Sequence, residues 1–440
     1  MKTEATLQTR REFLRGTVLG GALSWTIPAF LARTFTALQA EAADAAGQTT
    51  TGRDSRILVV LQMAGGNDGL NTVVPYADDN YHRARPRLAL NENKLLKLND
   101  ALALHGSLTG LKGLYDEGHL SIVHGVGYPN PNRSHFRSTE IWQTGTDANR
   151  FEQRGWIGRY FDNACAGCEP TVGISLGRQL PQAFAGHGGK GVVLDNPRSY
   201  RFPANDGSGE MDATTKLFHK LNEAEEEPLA AGASIGSVSG KVMHAGSPLD
   251  FLERTALEAQ VSSYEIQAVI ARAQSRASYP ASQLGNSLKL VSQLIAGGLP
   301  TRVYYVSQGG YDTHANQLGA QERLLKELGS SIRSFAEDLK DQGNFSRVLL
   351  MTFSEFGRRV AENANGGTDH GAAAPMFLIG GKIRAGLLGT YPSLAAQDLF
   401  QGDLKFHVDF RSVYASVLEQ WLGTRSQPVL GRDFSQVALV

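Results

Sequence analysis

Long uninterrupted apolar runs are missing from this sequence, and so is an excess of charge of either sign. The stretch near the amino terminus that comes nearest to such a run, TVLGGALSWTIPAFLA, is broken by two glycines and Pro28. It falls short of the roughly 20 residues that a bilayer-spanning helix needs, so no stable membrane span is expected. Lys plus Arg number 43 and Asp plus Glu also number 43. A balanced chain has neither the basic footprint of a nucleic-acid binder nor a polyanionic tail. Cysteine is scarce too, with only Cys165 and Cys168, in the order CAGC. Half of a zinc ribbon without its other half makes a poor metal site, and the pair reads as a local disulfide or as two free thiols.

The amino terminus has a targeting pattern. TRREFLRG, Thr9 to Gly16, sets paired arginines ahead of a phenylalanine and a leucine and resembles a twin-arginine export signal. Small residues in LQAEAADAAG, Leu38 to Gly47, offer cleavage points, with Ala42 taken as the last residue removed. The competing reading is an uncleaved amphipathic anchor. The expected organisation is a signal peptide over 1–42, a linker over 43–54 and one large domain over 55–440. The expected partner is the twin-arginine translocation machinery, and the expected location is the periplasm or the exterior. Because that route typically moves folded proteins, it suits a chain that takes up an ion before export.

Short, continuous apolar runs stopped by glycine read as strands buried on both faces. RILVVLQM (Arg56 to Met63), LSIVHGV (Leu120 to Val126), TRVYYVSQ, SRVLLMTF and PMFLIGG all have this form. Helical spacing of apolar residues predicts helices over LHGSLTGLKGLYDEGH, Pro248 to Ala277, Gln283 to Ala296, Gln317 to Gln342 and Phe410 to Leu422. A helical and Gly/Ser-rich insertion is expected around 205–300. Strands alternating with helices imply a mostly parallel sheet covered on both faces, with ligands beyond the carboxyl ends of the strands.

Polar residues gather after these strands. AGGNDGLNT (Ala64 to Thr72) brings Asn67 and Asp68, and GYPNPNRSHFRST (Gly127 to Thr139) brings Arg133, Ser134 and His135. YDTH brings Asp312 and His314, FSEFGRR (Phe353 to Arg359) brings Glu355, and GGTDHGAAAP (Gly366 to Pro375) brings Asp369 and His370. Residues two apart in an extended segment point the same way, so Asp312 and His314 can face one cation, and Asp with His is an oxygen and nitrogen set suited to zinc. Solvated turn residues are the alternative. Ser134 reads as a helix N-cap or as a cap that is also a nucleophile, with Arg133 and Arg137 placed to hold an anionic ester. Glu355 reads as a metal ligand or as an ion-pair partner of Arg358 or Arg359.

In this order after a twin-arginine signal, GGNDGLNTVVPY, GVGYPNPNRSHFRSTEIWQTG, GGYDTH, FSEFGRR and TDHG resemble the bacterial domain-of-unknown-function family 1501, within the alkaline phosphatase and sulfatase-like superfamily. The resemblance covers nearly the whole mature chain. It implies a three-layer α/β/α sandwich with a mostly parallel central sheet, and one or two divalent ions at the carboxyl edge. Zinc is first among these, with calcium, magnesium or manganese as alternatives. It further implies that Ser134 is the nucleophile, helped by Arg133 and Asn67, and that the ligands are Asp68, Asp312, His314, Glu355, Asp369 and His370. Asp68 would be shared between ions, and His135 would help steady the oxyanion. The implied function is an exported hydrolase of phosphate or sulfate esters acting on a small-molecule or saccharide ester. A departure stands at Glu355-Phe356, where many members have Asp-His, and favours the alternative of a non-catalytic exported binding or accessory protein.

Overall fold

The computed structural model describes residues 55–165, 167–195 and 275–440, together with 266, 268–270 and 272. The expected signal peptide, the linker and nearly all of the insertion around 205–300, including most of the helix expected over 248–277, lie outside the described residues. The chain divides into two compact units, and the features below belong to the unit formed by 43–195 and 268–440. Among the described residues no helix is long and apolar enough to cross a membrane.

The strands are β1 (Ile57–Met63), β2 (Val73–Val74), β3 (Leu95–Lys97), β4 (Ala103–His105), β5 (Leu120–Gly127), β6 (Gly173–Leu176), β7 (Val192–Leu194), β8 (Val303–Gln308), β9 (Val348–Phe353), β10 (Ala374–Gly380), β11 (Gly386–Leu388) and β12 (Val408–Asp409). The helices are α1 (Asp79–Ala84), α2 (Thr109–Asp116), α3 (His135–Thr144), α4 (Trp156–Ala164), α5 (Gln283–Ala296), α6 (Gln317–Asp341), α7 (Phe410–Ser416) and α8 (Gln427–Leu430). A large sheet runs in the order β11-β5-β10-β9-β1-β8-β6-β7, with β12 beside β5. β1 lies between β8 and β9, parallel to both, and every one of its residues is buried, as its unbroken apolar run requires. β10 alone runs against its neighbours, β9 and β5. A smaller antiparallel sheet, β2-β4-β3, forms from a segment with no clear strand pattern.

Alternation along the strands divides the core between two faces. Leu58, Val60, Leu349 and Met351 pack with Trp142, Trp156, Tyr160, Tyr414 and Trp421 on the side of α3, α4, α7 and α8. Trp142 stacks on Phe353 and Phe410 at 5.3 and 4.3 Å between ring centroids, a contact of about 0.5–1.5 kcal/mol per pair beyond burial. The other helical layer holds α2, α5 and α6, with α6 packed on both others, while α5 touches β8. The architecture is therefore the expected α/β/α sandwich. α5 and α6 match their expected spans to within one residue, and the helix expected over 410–422 is α7 followed by a π-helical turn, Val417–Trp421. Cys165 and Cys168 form a disulfide.

Candidate metal centre

The reversal of β10 matters for the site. β9 ends at Phe353 and β10 begins at Ala374, so the excursion 354–373 leaves and re-enters the sheet at one edge and carries both Glu355 and His370. The segments after β1, β5 and β8 end at the same edge because those strands are parallel to one another through the sheet. The approach of these loops depends on glycine. Gly65 has φ +119°, and a Cβ there would meet Asp312 N at 2.5 Å; Gly66 has φ +77°, and its Cβ would meet Phe356 at 2.3 Å.

Three imidazoles and one carboxylate converge here. His314 Nε2 lies 2.9 Å from His370 Nε2 and 3.0 Å from Asp312 Oδ1. His370 Nε2 is 3.1 Å from the same oxygen, and His135 Nε2 is 3.5 Å from Asp312 Oδ2. Ligand atoms of His135, Asp312 and His370 all lie within 4.8 Å of one another. The other ring nitrogen of each histidine has its own acceptor. His135 Nδ1 donates to Glu355 Oε1 at 2.9 Å, His314 Nδ1 to Asp369 Oδ1 at 3.2 Å and His370 Nδ1 to the Arg133 carbonyl at 2.7 Å. Carboxylates and carbonyls only accept, so in the neutral rings the proton sits on Nδ1 and a lone pair on Nε2. Two lone pairs and an anionic oxygen then meet at about 3 Å with no hydrogen among them. Such a cluster calls for a cation, either an added proton on a ring or a metal ion. Imidazoles whose far nitrogen is held by a carboxylate or carbonyl are the usual surroundings of a bound metal.

The remaining contacts hold this geometry. Arg358 is fully buried and donates to Asp312 Oδ1 at 2.8 Å, to Gly66 O at 2.6 Å, to Thr368 O at 2.8 Å, to Tyr311 O at 2.9 Å and to Gly65 O. One guanidinium thus ties three loops to the carboxylate. Partial burial alone would raise the Asp312 carboxyl, but the hydrogen bond and charge of Arg358, with the His370 imidazole close by, outweigh it and bring it down to about 2. Asp369 is also lowered, chiefly by its hydrogen bond from Asn363, against burial and with help from His314. Phe356, the residue that departs from the expected histidine, packs its ring against His370 at 4.5 Å and His135 at 4.9 Å. The side chains of His314 and Asp312 are 43 % and 47 % exposed, so the cluster is open to solvent on one side.

The model of the family described as "Protein of unknown function (DUF1501)" matches residues 55–430. The chain belongs to this family. No functionally curated protein matches this DUF1501 sequence. Similar solved structures include a protein in the alkaline phosphatase superfamily from Vibrio parahaemolyticus, at 9 % identity over 91 % of this chain and 78 % of that one, TM-score 0.38. The lipoteichoic acid synthase LtaP from Listeria monocytogenes is similar at 9 % identity over 91 % and 82 %, TM-score 0.39, and a sulfatase from Pseudoalteromonas sp. at 10 % over 86 % and 73 %, TM-score 0.33.

Of the residues singled out in this DUF1501 sequence, Asp312, His314 and His370 lie together. Asp68 does not join them. Its Oδ2 accepts from Arg85 at 2.6 Å and from Gln317 at 2.5 Å, and its Oδ1 from Leu70 N at 3.2 Å, so the carboxylate is engaged in a buried ion pair. Gln317 in turn accepts from Thr313 at 3.2 Å and Thr368 at 2.6 Å, which makes Asp68 a brace for the loops that carry Asp312 and His370. Glu355 is 2 % exposed, and its Oε1 accepts from Gly65 N as well as from His135. It holds an imidazole through a hydrogen bond, as Asp369 holds His314. The Arg133 guanidinium pairs with the buried Asp403. Asn67 is buried, with its main-chain N–H on Ser354 and its Oδ1 on Thr72. Ser134 is exposed at the start of α3 and its hydroxyl makes no capping bond. Sequence reasoning placed His135 only beside an oxyanion and overlooked Arg358 as the internal clamp. The signal for His135 was its place just after a buried strand, alongside His314 and His370.

Proposed function

We propose that this protein is an exported metal-dependent hydrolase of phosphate or sulfate esters, with the ion held by Asp312, His314, His370 and His135. The observation that carries the reading is the meeting of His314 Nε2, His370 Nε2 and Asp312 Oδ1 within 2.9–3.1 Å, with the Nδ1 of each imidazole already engaged. A donor set of three imidazoles and one carboxylate suits zinc ahead of calcium, magnesium or manganese, which prefer oxygen. When bound, such an ion supplies Lewis acidity, polarising a non-bridging ester oxygen and lowering the pKa of a hydroxyl beside it.

The chain's own residues do the rest. Glu355, Asp369 and the Arg133 carbonyl hold the imidazoles in the Nδ1–H tautomer, and Arg358 keeps Asp312 ionised and in place. Ser134, one residue before His135 and free of capping duty, is the proposed nucleophile: its Oγ forms the bond to phosphorus or sulfur as the ester oxygen departs, and hydrolysis then restores the hydroxyl. Solvent exposure of Asp312 and His314 supports a substrate that arrives from bulk water. Export by the twin-arginine route to the periplasm or beyond is part of the same proposal, tested by following the location of a fusion protein whose Arg10 and Arg11 are both replaced by Lys.

A second reading, an exported binding protein without turnover, draws on one observation. No described residue accepts a hydrogen bond from the Ser134 hydroxyl, so no base is in place to receive its proton. Metal analysis of the purified protein, followed by assays on aryl phosphate, phosphodiester and aryl sulfate, separates the two. Metal with turnover that Ser134→Ala abolishes, while metal content is kept, supports the hydrolase. Metal without turnover after zinc, manganese or calcium loading supports the second reading.

A further inference from the structure

Next to the imidazole cluster lies a charge arrangement that the ion site does not use. Asp403 is fully buried, and its Oδ2 accepts from Arg133 Nε at 2.9 Å and Nη2 at 2.5 Å. Its Oδ1 has no hydrogen-bond partner, and the nearest cation to it is Arg359, with Nε 3.8 Å away, beyond hydrogen-bond reach. Two guanidiniums therefore stand on one buried carboxylate, and the exposed Asp369 is the further acid that feels the charge of Arg359. Both are open to solvent, Arg133 at 31 % and Arg359 at 41 % side-chain exposure. Nη1 of Arg133 and the whole guanidinium of Arg359 make no hydrogen bond to a described residue.

The acid that collects them is held in place deliberately. Phe400 and Asp403 exchange main-chain hydrogen bonds of 2.9 and 3.0 Å across a tight turn, and both central residues, Gln401 at φ 53° and Gly402 at φ 86°, are left-handed. A non-glycine residue in that region costs of order 1 kcal/mol, a strain that persists only where its surroundings enforce it. The arginines are also close in the chain to the ligands. The Arg133 carbonyl accepts from His370 Nδ1, and Arg359 N donates to Asp369 O at 3.0 Å.

We propose that Arg133 and Arg359, gathered on Asp403, form an oxyanion subsite beside the ion centre that binds a second sulfate, phosphate or carboxylate group of the substrate. A planar guanidinium presents a fork of donors that matches the two oxygens of such a group. Asp403 turns the forks toward each other's neighbourhood while cancelling only half of their charge. The assignment of the anion to a substrate rests on the hydrolase reading; the binding of an oxyanion does not, and the test keeps the two apart.

The test is calorimetric titration of metal-free protein with inorganic sulfate, inorganic phosphate and acetate at constant ionic strength. The wild type is compared with Arg359→Gln and His314→Ala. The expected result is that at least one oxyanion binds the wild type and His314→Ala alike, and that Arg359→Gln weakens it about tenfold, the loss of one charge-assisted hydrogen bond. The order among the three anions tells which group the subsite prefers. Three results overturn the proposal: no oxyanion binding by the wild type, equal binding by Arg359→Gln, or an equal loss in His314→Ala, which would put the anion on the imidazoles. Zinc uptake measured on the same samples judges the ion centre separately.

Discussion

His124 lies on β5 with both ring nitrogens lacking hydrogen-bond partners and only 2 % of its surface exposed. Its ring meets the edge of Tyr391 at 5.2 Å, and the small cavity beside it is lined by Gly69, Val73, Pro375, Pro392 and Leu404 among others, none of them charged. Burial with no compensating charge lowers the imidazole from 6.5 to about 4. The unfolded chain therefore binds a proton that the folded chain refuses between these two values. Stability is full above pH 6.5, falls as the pH drops through that window, and levels off below about 4. At 1.36 kcal/mol per pH unit the total loss from this one residue is about 3 kcal/mol. Urea denaturation of the wild type and His124→Phe at pH steps from 8 to 4 measures it. The variant should lose about 3 kcal/mol less than the wild type over that range and be neutral or slightly more stable at pH 8, where an unpartnered polar ring has been replaced by an apolar one. Groups present in both proteins contribute equally and cancel in the comparison. Identical pH dependence in the two would refute the reasoning.

Arg358→Met leaves four loop carbonyls and Asp312 without their shared donor, and should destabilise the protein by at least about 3–5 kcal/mol in thermal or urea denaturation, with Arg358→Lys recovering part of the loss. Asp369→Ala and Glu355→Ala should each weaken zinc binding about 10–100-fold in a chelator competition assay, through loss of imidazole orientation, while circular dichroism stays native. Asp68→Ala strands the fully buried Arg85 and should cost about 3–5 kcal/mol of stability, yet leave one zinc per folded chain by elemental analysis; loss of the metal with the fold intact would restore Asp68 as a ligand.

The strands that carry the site were readable because they are buried on both faces. Val59, Tyr304 and Leu350 sit in runs of consecutive apolar residues with no alternating polar face, and glycine follows two of those runs. Direction was not readable, since PMFLIGG has the same composition whichever way it runs, and only pairing with β9 and β5 shows that β10 is reversed. β2, β3 and β7 are too short to establish a period. In the site, the Asp312 and His314 pair was legible from its two-residue spacing after a strand. The roles of Asp68 and Glu355 were not, because each depends on a partner far away in sequence: Arg85 and Gln317 for the one, Gly65 and His135 for the other. An acid at a strand end can face an ion, a guanidinium or an imidazole N–H, and the three-dimensional neighbours decide which. Arg358 pairs with Asp312 where a nearer acid, Glu355, was available in sequence, because its side chain runs under the β1 and β8 loops.

The central claim is that three histidines and one aspartate grip a single metal ion. X-ray absorption spectroscopy on protein loaded with one equivalent of zinc tests it most directly. The expected shell has three imidazole nitrogens with one or more oxygens at about 2.0–2.1 Å, falling to two imidazoles in His135→Ala. A shell of oxygens or sulfurs alone, or a protein that takes up no zinc while folded, would contradict it.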